Sequence, residues 1–141
     1  MLRLMRSLAE FEGYADRFAV TEGDLIERGL SGKRDAQFVA WVLEADGLVR
    51  GYAVVYVIPF TFDLRPTVVL KELFVESAAR RLGCGHDLFA QVIRYAQSIN
   101  ARLLRWQVLP GNEAAKRFYV RYGGRAEIDW ESWMRDVELN T

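Results

Sequence analysis

The run Arg80-Arg81-Leu82-Gly83-Cys84-Gly85-His86 is the densest concentration of potential chemistry in the chain. Two arginines precede two glycines set one residue apart. Glycine lets a backbone turn tightly and approach a ligand closely. A helix starting just after such a turn leaves its first N–H groups unpaired and carries partial positive charge there. The combination favours a phosphate or pyrophosphate. An ordinary glycine-rich turn would read the same way. Other motifs do not fit. A P-loop needs Lys-Ser/Thr after its last glycine, and His86-Asp87 follows here. A dinucleotide fingerprint needs a third glycine. Cys84 and His86 do not read as nucleophile and base, because at a loop–helix junction their side chains point apart. Cys84 is expected to fill a small apolar site.

The elements around this run set its context. Leu4, Met5, Leu8, Ala9 and Phe11 fall near helical spacing, predicting a helix over residues 2 to about 12. Thr21 and Asp24 resemble a capping box, and Gly29 is placed to end the short helix they open. Strands are expected at Gln37–Glu44, Leu48–Ile58 and Thr67–Val75, with a hairpin turn at Asp46-Gly47. A helix then carries Leu88, Phe89, Val92, Ile93 and Ala96 on one face. Leu103–Val108 follows as a strand, implying a parallel crossover. Asn112–Tyr122 reads as a helix stopped by Gly123-Gly124, and Trp133–Leu139 as a last strand. The fold class is therefore mixed α/β, expected as one domain over residues 1–141.

Composition excludes several classes of function. Lys+Arg and Asp+Glu both number 19, which removes any global electrostatic case for nucleic acid. One Cys and one His argue against a disulfide framework and a metal site, and suit a reducing cytoplasm. No apolar run approaches the ~20 residues needed to span a bilayer. With 51% hydrophobic residues, the chain can build a core without a metal.

The pattern Arg80-x-x-Gly83-x-Gly85 resembles the acetyl-CoA pyrophosphate loop of the GNAT superfamily of N-acetyltransferases. Asn112-Glu-Ala-Ala115-Lys-Arg-Phe118-Tyr119-x-x-x-Gly123 is similar to a second signature of that superfamily. Leu8-Ala9-Glu10-Phe11-Glu12, Leu70-Lys71-Glu72-Leu73-Phe74-Val75 and Glu131-Ser132-Trp133 resemble the diamine acetyltransferases, the spermidine/spermine and thialysine enzymes. The likeness runs from Leu2 to about Leu139.

The resemblance implies a GNAT-type sheet, mostly antiparallel, with one splayed parallel strand pair and flanking helices. It implies acetyl-CoA as cosubstrate, a primary amine as acceptor, and direct attack on the thioester. Leu73, Phe74 and Val75 would hold pantetheine, and the Val75 N–H would polarise the thioester carbonyl. Arg80, Arg81, Gly83, Cys84, Gly85 and His86 would surround the pyrophosphate, mostly through main-chain groups. Asn112 would contact the pantetheine end. Tyr119 would protonate the departing thiolate, its competing reading being a core aromatic on a helical stripe. Glu72, Glu12, Glu131 and Trp133 would lie near the amine, where carboxylates and aromatic faces attract a cation. Glu12 and Asp16 read equally well as a solvated helix end.

Two departures bear on the acceptor. The diamine enzymes carry a Glu-Asp pair where this chain has Lys71-Glu72. Strand alternation would put those two side chains on opposite faces, so that Glu72 could not take the place of the lost carboxylate. The relatives also begin with a strand that is not found here. The strand Gln37 to Leu43 is then expected to present an open edge, and self-association, as a homodimer, is expected. Either the natural start lies upstream or another segment or subunit covers that edge. Beside the enzyme stands a second reading: a CoA-binding sensor or assembly module that has lost turnover.

Overall fold

A computed structural model describes all residues except Lys33, Arg34, Thr61, Arg81, Leu82, Asn140 and Thr141. Its first helix, α1 (Leu2–Glu12), forms where the apolar stripe predicts it and buries Leu4, Met5, Leu8 and Ala9. Gly13, at φ 85°, ends it, and Tyr14 N donates to Ala9 O at 2.9 Å. A short 3-10 turn at Ala15–Arg17 leads to α2 (Glu22–Leu25). The capping box is present: Asp24 N donates to Thr21 Oγ1 at 3.2 Å, and Thr21 N to Asp24 Oδ2 at 2.9 Å.

Gly29 does not act as the expected stop. The helix runs on as a π turn over Ile26–Leu30, with Gly29 inside it. The Phe38 ring lies against Gly29 so closely that a Cβ there would overlap it. Packing, and not helix termination, requires this glycine.

Three antiparallel strands follow: β1 (Val39–Ala45), β2 (Leu48–Ile58) and β3 (Thr67–Val75). Asp46 (φ 55°) and Gly47 (φ 75°) make the two-residue turn between β1 and β2. That turn needs positive φ at both positions, which Asp-Gly supplies. After α3 (Ser77–Arg80), helix α4 (Cys84–Ser98) leads to β4 (Leu103–Trp106). The sheet order is β1-β2-β3-β4, with β3 and β4 parallel.

Both faces of the central strand are covered, so Gly51–Val55 is buried without alternation. Tyr52 and Val54 pack with Leu4, Met5 and Leu8 of α1 and Leu25 of α2. Leu88, Phe89 and Val92 of α4 are buried too, and a Cβ on Gly51 would lie 3.0 Å from Leu88 Cδ1. Phe89 meets Trp106 edge-on at 5.5 Å, and Tyr95 meets Trp41 at 5.4 Å. β1 forms one edge of the sheet, and no strand precedes it among the described residues.

The chain divides into two compact units, Met1–Gln107 and Val108–Thr141. The second holds α5 (Glu113–Arg121), capped at its start by Asn112 Oδ1, which accepts from Ala115 N at 3.1 Å. Gly123, at φ 80°, follows its last turn. The strand expected at Trp133–Leu139 is not formed: Arg125–Leu139 carries no helix or strand. Its large apolar residues, from Trp130 at 79% to Met134 at 95%, are exposed. A strand exists only where a neighbour takes its backbone hydrogen bonds, and among the described residues the ladder comprises β1–β4.

Candidate active site

A bulge in β3 sets the geometry of the site. The β2–β3 register pairs Val54 with Glu72 and Val55 with Leu70, and passes over Lys71. A strand residue added in this way interrupts the alternation of faces. Lys71 is the extra residue of this irregularity, so alternation alone does not set its face relative to Glu72. The Lys71 charge favours ionisation of Glu72.

Glu72 is half-buried beside Tyr52, which is 0% exposed. The Tyr52 hydroxyl donates to Glu72 Oε2 at 3.0 Å. Glu72 Oε1 has no hydrogen-bond donor among the described residues. Burial pushes the Glu72 carboxyl above the usual carboxylate range, and the charge of Glu12 adds to this. The Tyr52 hydrogen bond and Lys71 only partly offset it. Burial and the same carboxylate raise Tyr52 and Tyr56 as well. Tyr52 was not singled out in the sequence. The available signal was a hydroxyl inside an apolar strand, which must find a partner when buried.

Glu72 also lines a cavity of about 470 Å³ in the first unit. Val54 and Tyr56 of β2 lie beside it, with Arg17, Asp24 and Arg28 contributed by the turns and α2. Glu12, at the end of α1, is exposed and acts on Glu72 through charge alone. Glu131 and Trp133, in the second unit, are exposed and bonded to each other, Trp133 Nε1 donating to Glu131 Oε2 at 3.2 Å.

A second opening follows from unequal strand lengths. β4 pairs only with Thr67–Leu70, while β3 continues to Val75. Beyond Leu70, the β4 side of β3 has no strand partner among the described residues. Leu73, Phe74 and Val75 lie on that stretch. Arg80 Nε donates to Val75 O at 2.9 Å, so this guanidinium is partly committed to the end of the strand. Glu76 is held by Arg3 and by Arg50, the latter at 3.0 Å, and its N–H donates to Arg50 O at 2.9 Å. These bonds anchor the chain where it leaves the sheet.

The glycine turn opens α4 as expected. Gly83, at φ 75°, is its N-cap, with no side-chain cap bond. Asp87 N donates to Gly83 O at 3.0 Å as the first intrahelical bond, leaving the N–H groups of Cys84 and Gly85 outside the helix ladder. The Cys84 side chain is buried and contributes to the core. His86 is exposed, and Arg81 lies outside the described residues.

In the second unit, Tyr119 sits on α5, its ring edge-on to Phe118 at 5.4 Å. Asn112 spends its side-chain oxygen on the helix cap.

The model of the acetyltransferase (GNAT) family matches residues 3–124. The chain belongs to the GNAT family. It is an acetyl-CoA-dependent N-acetyltransferase. It is 29% identical to a thialysine N-epsilon-acetyltransferase of Bos taurus, over 94% of this chain and 81% of that protein. The Sus scrofa protein of that name is 28% identical over the same shares. Among solved structures, an aminoglycoside acetyltransferase from an uncultured soil metagenomic sample superposes with a TM-score of 0.78. That match has 17% identity and covers 97% of this chain and 86% of that one. A probable acetyltransferase gives 0.75 at 19% identity, covering 99% and 93%. These two likenesses concern the fold.

GNAT acetyltransferases use acetyl-CoA as cosubstrate. The residues present fit it. The open side of β3 offers backbone groups to an extended amide chain, and the uncapped start of α4 offers N–H groups to an anion. No helix among the described residues is long and apolar enough to cross a membrane.

Proposed function

We propose that the protein transfers acetyl from acetyl-CoA to the primary amine of a small cationic acceptor of the lysine or polyamine type, held in the cavity beside Glu72. The observation that carries this reading is a half-buried carboxylate in that cavity, with one oxygen fixed by Tyr52 and the other unoccupied. The names of the Bos taurus and Sus scrofa relatives support a lysine-like amine.

An alkylammonium has a pKa of about 10 and must lose a proton before it can attack. Glu72, raised above the usual range, is the better acceptor for that proton. The freed nitrogen attacks the thioester carbonyl carbon; the new N–C bond forms and the C–S bond breaks. The Val75 N–H donates to the carbonyl oxygen as charge develops on it. Tyr119 gives its proton to the departing sulfur, and the second proton lost by the attacking nitrogen, passed by way of solvent, restores the tyrosine. Leu73, Phe74 and Val75 bind the pantetheine arm. Arg80, Arg81, Gly83, Cys84, Gly85 and His86 bind the pyrophosphate, chiefly through main-chain N–H groups, with Asn112 near the pantetheine. Glu12, Glu131 and Trp133 complete acceptor recognition. Acetyl-CoA supplies the activated acyl group, and no metal takes part. The protein works in the cytoplasm as a homodimer.

The test is thiol release from acetyl-CoA with a panel of primary amines, together with mass measurement of the acetylated product. Turnover with a small primary amine is the expected result. Tight acetyl-CoA binding without turnover would instead identify a CoA-binding sensor. Tyr119→Phe should slow turnover while leaving acetyl-CoA affinity nearly unchanged; unaltered turnover would remove Tyr119 from the mechanism.

A further inference from the structure

β3 ends at Val75, and the sheet alone does not hold that end. Beyond Leu70 the strand keeps β2 on one side and has no strand neighbour among the described residues on the other. The register pairs Val75 with Gly51, and the next N–H, that of Glu76, donates to Arg50 O at 2.9 Å. In an antiparallel ladder this combination marks Val75 and Gly51 as a non-hydrogen-bonded pair. The N–H and C=O of Val75 therefore point away from β2, into the open side of β3. Arg80 Nε takes the C=O at 2.9 Å. The N–H points the same way, toward the space where a ligand would lie.

Glu76 is bound at every polar atom. Its N–H goes to Arg50 O. Its C=O accepts from Ala79 N at 2.9 Å and from Arg80 N at 3.1 Å, at the turn that forms α3. Its Oε1 accepts from Arg3, and its Oε2 from Arg50 at 3.0 Å. Arg50 thus holds Glu76 through both backbone and side chain. Arg3 ties it to the first turn of α1 and also donates to Val49 O at 3.1 Å. The Val75 C=O and the Glu76 N–H belong to one rigid peptide plane, which Arg80 fixes at one end and Arg50 at the other.

Ion pairs this close to solvent add little to stability. Aim is a different matter. A donor that stabilises a developing oxyanion works only if it is already oriented. A misplacement of about 1 Å can cost roughly a hundredfold in rate. The bonds made by Glu76 restrain the residue that directly follows the donor, at a strand end that would otherwise be supported on one side.

We propose that Glu76 is a positioning residue for acetyl transfer: gripped by Arg3 and Arg50, it fixes the end of β3 so that the Val75 N–H is aimed at the thioester carbonyl oxygen. This rests on the role given to Val75 in the transfer reaction.

The test follows the Val75 amide by nuclear magnetic resonance in the full chain, as acetonyl-CoA is added. This ketone analogue keeps the carbonyl and cannot transfer an acetyl group. In wild type the Val75 amide proton should move downfield on binding. In Glu76→Gln and in Arg50→Gln that movement should shrink. Their kcat should fall roughly tenfold, with analogue affinity within about twofold of wild type. The double variant should be no slower than either single one, because both break the same grip. Glu76→Gln keeps the side-chain volume and should fold, which its Tm at neutral pH would check. A Val75 shift and a kcat left at wild-type values, with only Tm lowered, would overturn the proposal. Losses that multiply in the double variant would overturn it as well. No shift in wild type would instead remove Val75 from the mechanism, and the positioning role of Glu76 with it. The shift needs no turnover, so it reads the grip of Glu76 even if none of the amines tried is acetylated.

Discussion

Tyr52 and Glu72, 20 residues apart in sequence, are joined across β2 and β3 by a hydrogen bond of 3.0 Å. The bond fixes one carboxylate oxygen and turns a buried tyrosine hydroxyl into a positioning group. It also creates a tension, because burial raises the pKa of the group that the bond helps to keep charged.

That tension has a sign. The folded-state pKa of Glu72 lies above its unfolded value. Its favourable contribution is fully present below the unfolded value and is lost as pH rises through the folded one. At neutral pH the ionised carboxylate therefore burdens the fold. Glu72→Gln, which can still accept from Tyr52, should be as stable as the wild type near pH ~7 or more so. Thermal melts of both proteins from acid to neutral pH would check this. A large loss of stability in the variant at neutral pH would contradict it.

Tyr52→Phe keeps the ring and removes the donor. The loss should cost about 1 kcal/mol in urea unfolding. It should also raise the Glu72 pKa further, because the hydrogen bond favours the charged form. The acid limb of the pH–rate profile should then move to higher pH. An unmoved limb would show that Tyr52 serves packing alone.

Glu76 behaves in the opposite way. Hydrogen bonds from Arg3 and Arg50 hold its carboxyl below the usual range. Its contribution is present above the unfolded pKa and is lost as pH falls through the folded one. Wild type should therefore lose more Tm on acidification than Glu76→Gln does, and salt should shrink the difference, because this pair lies close to solvent. Parallel acid titrations of the two proteins by circular dichroism would measure it.

Gly51 marks the tightest passage in the sheet. A Cβ there would stand 3.0 Å from Leu88 Cδ1, 3.1 Å from Phe74 O and 3.2 Å from Val75 Cγ2. Two of these neighbours are side chains that can shift; Phe74 O is backbone and cannot. Gly51→Ala should cost about 1–3 kcal/mol. Displacement of Phe74 and Val75 should weaken acetyl-CoA binding as well, which calorimetry would detect.

Much of the fold was legible because its signals are local. The Asp46-Gly47 turn, the Thr21–Asp24 cap, the α1 stripe and the bounds of β2 and β3 each rest on residues a few positions apart. The glycine turn that opens α4 is of the same kind. What was missed depends on distant partners. Gly29 looked like a helix stop, but Phe38 explains it. Strict alternation was assumed at Lys71 and Glu72, but the register against β2 carries an extra residue there, where alternation is interrupted. Trp133–Leu139 has the composition of a strand, but a ladder needs a neighbour. The site was divided in the same way. Glu72 and the glycine turn at the start of α4 could be named from sequence. Tyr52, Arg17 and Arg28 could not, because folding alone brings them to Glu72.

The most direct measurement is kcat/KM for a primary amine as a function of pH, at saturating acetyl-CoA, for wild type and Glu72→Gln. Wild type should rise to a plateau along a limb set by a carboxyl titrating above its usual range. Glu72→Gln should lose that limb and fall by about a hundredfold, with acetyl-CoA affinity unchanged. A variant as active as wild type, with the same profile, would contradict the role of Glu72 in acetyl transfer.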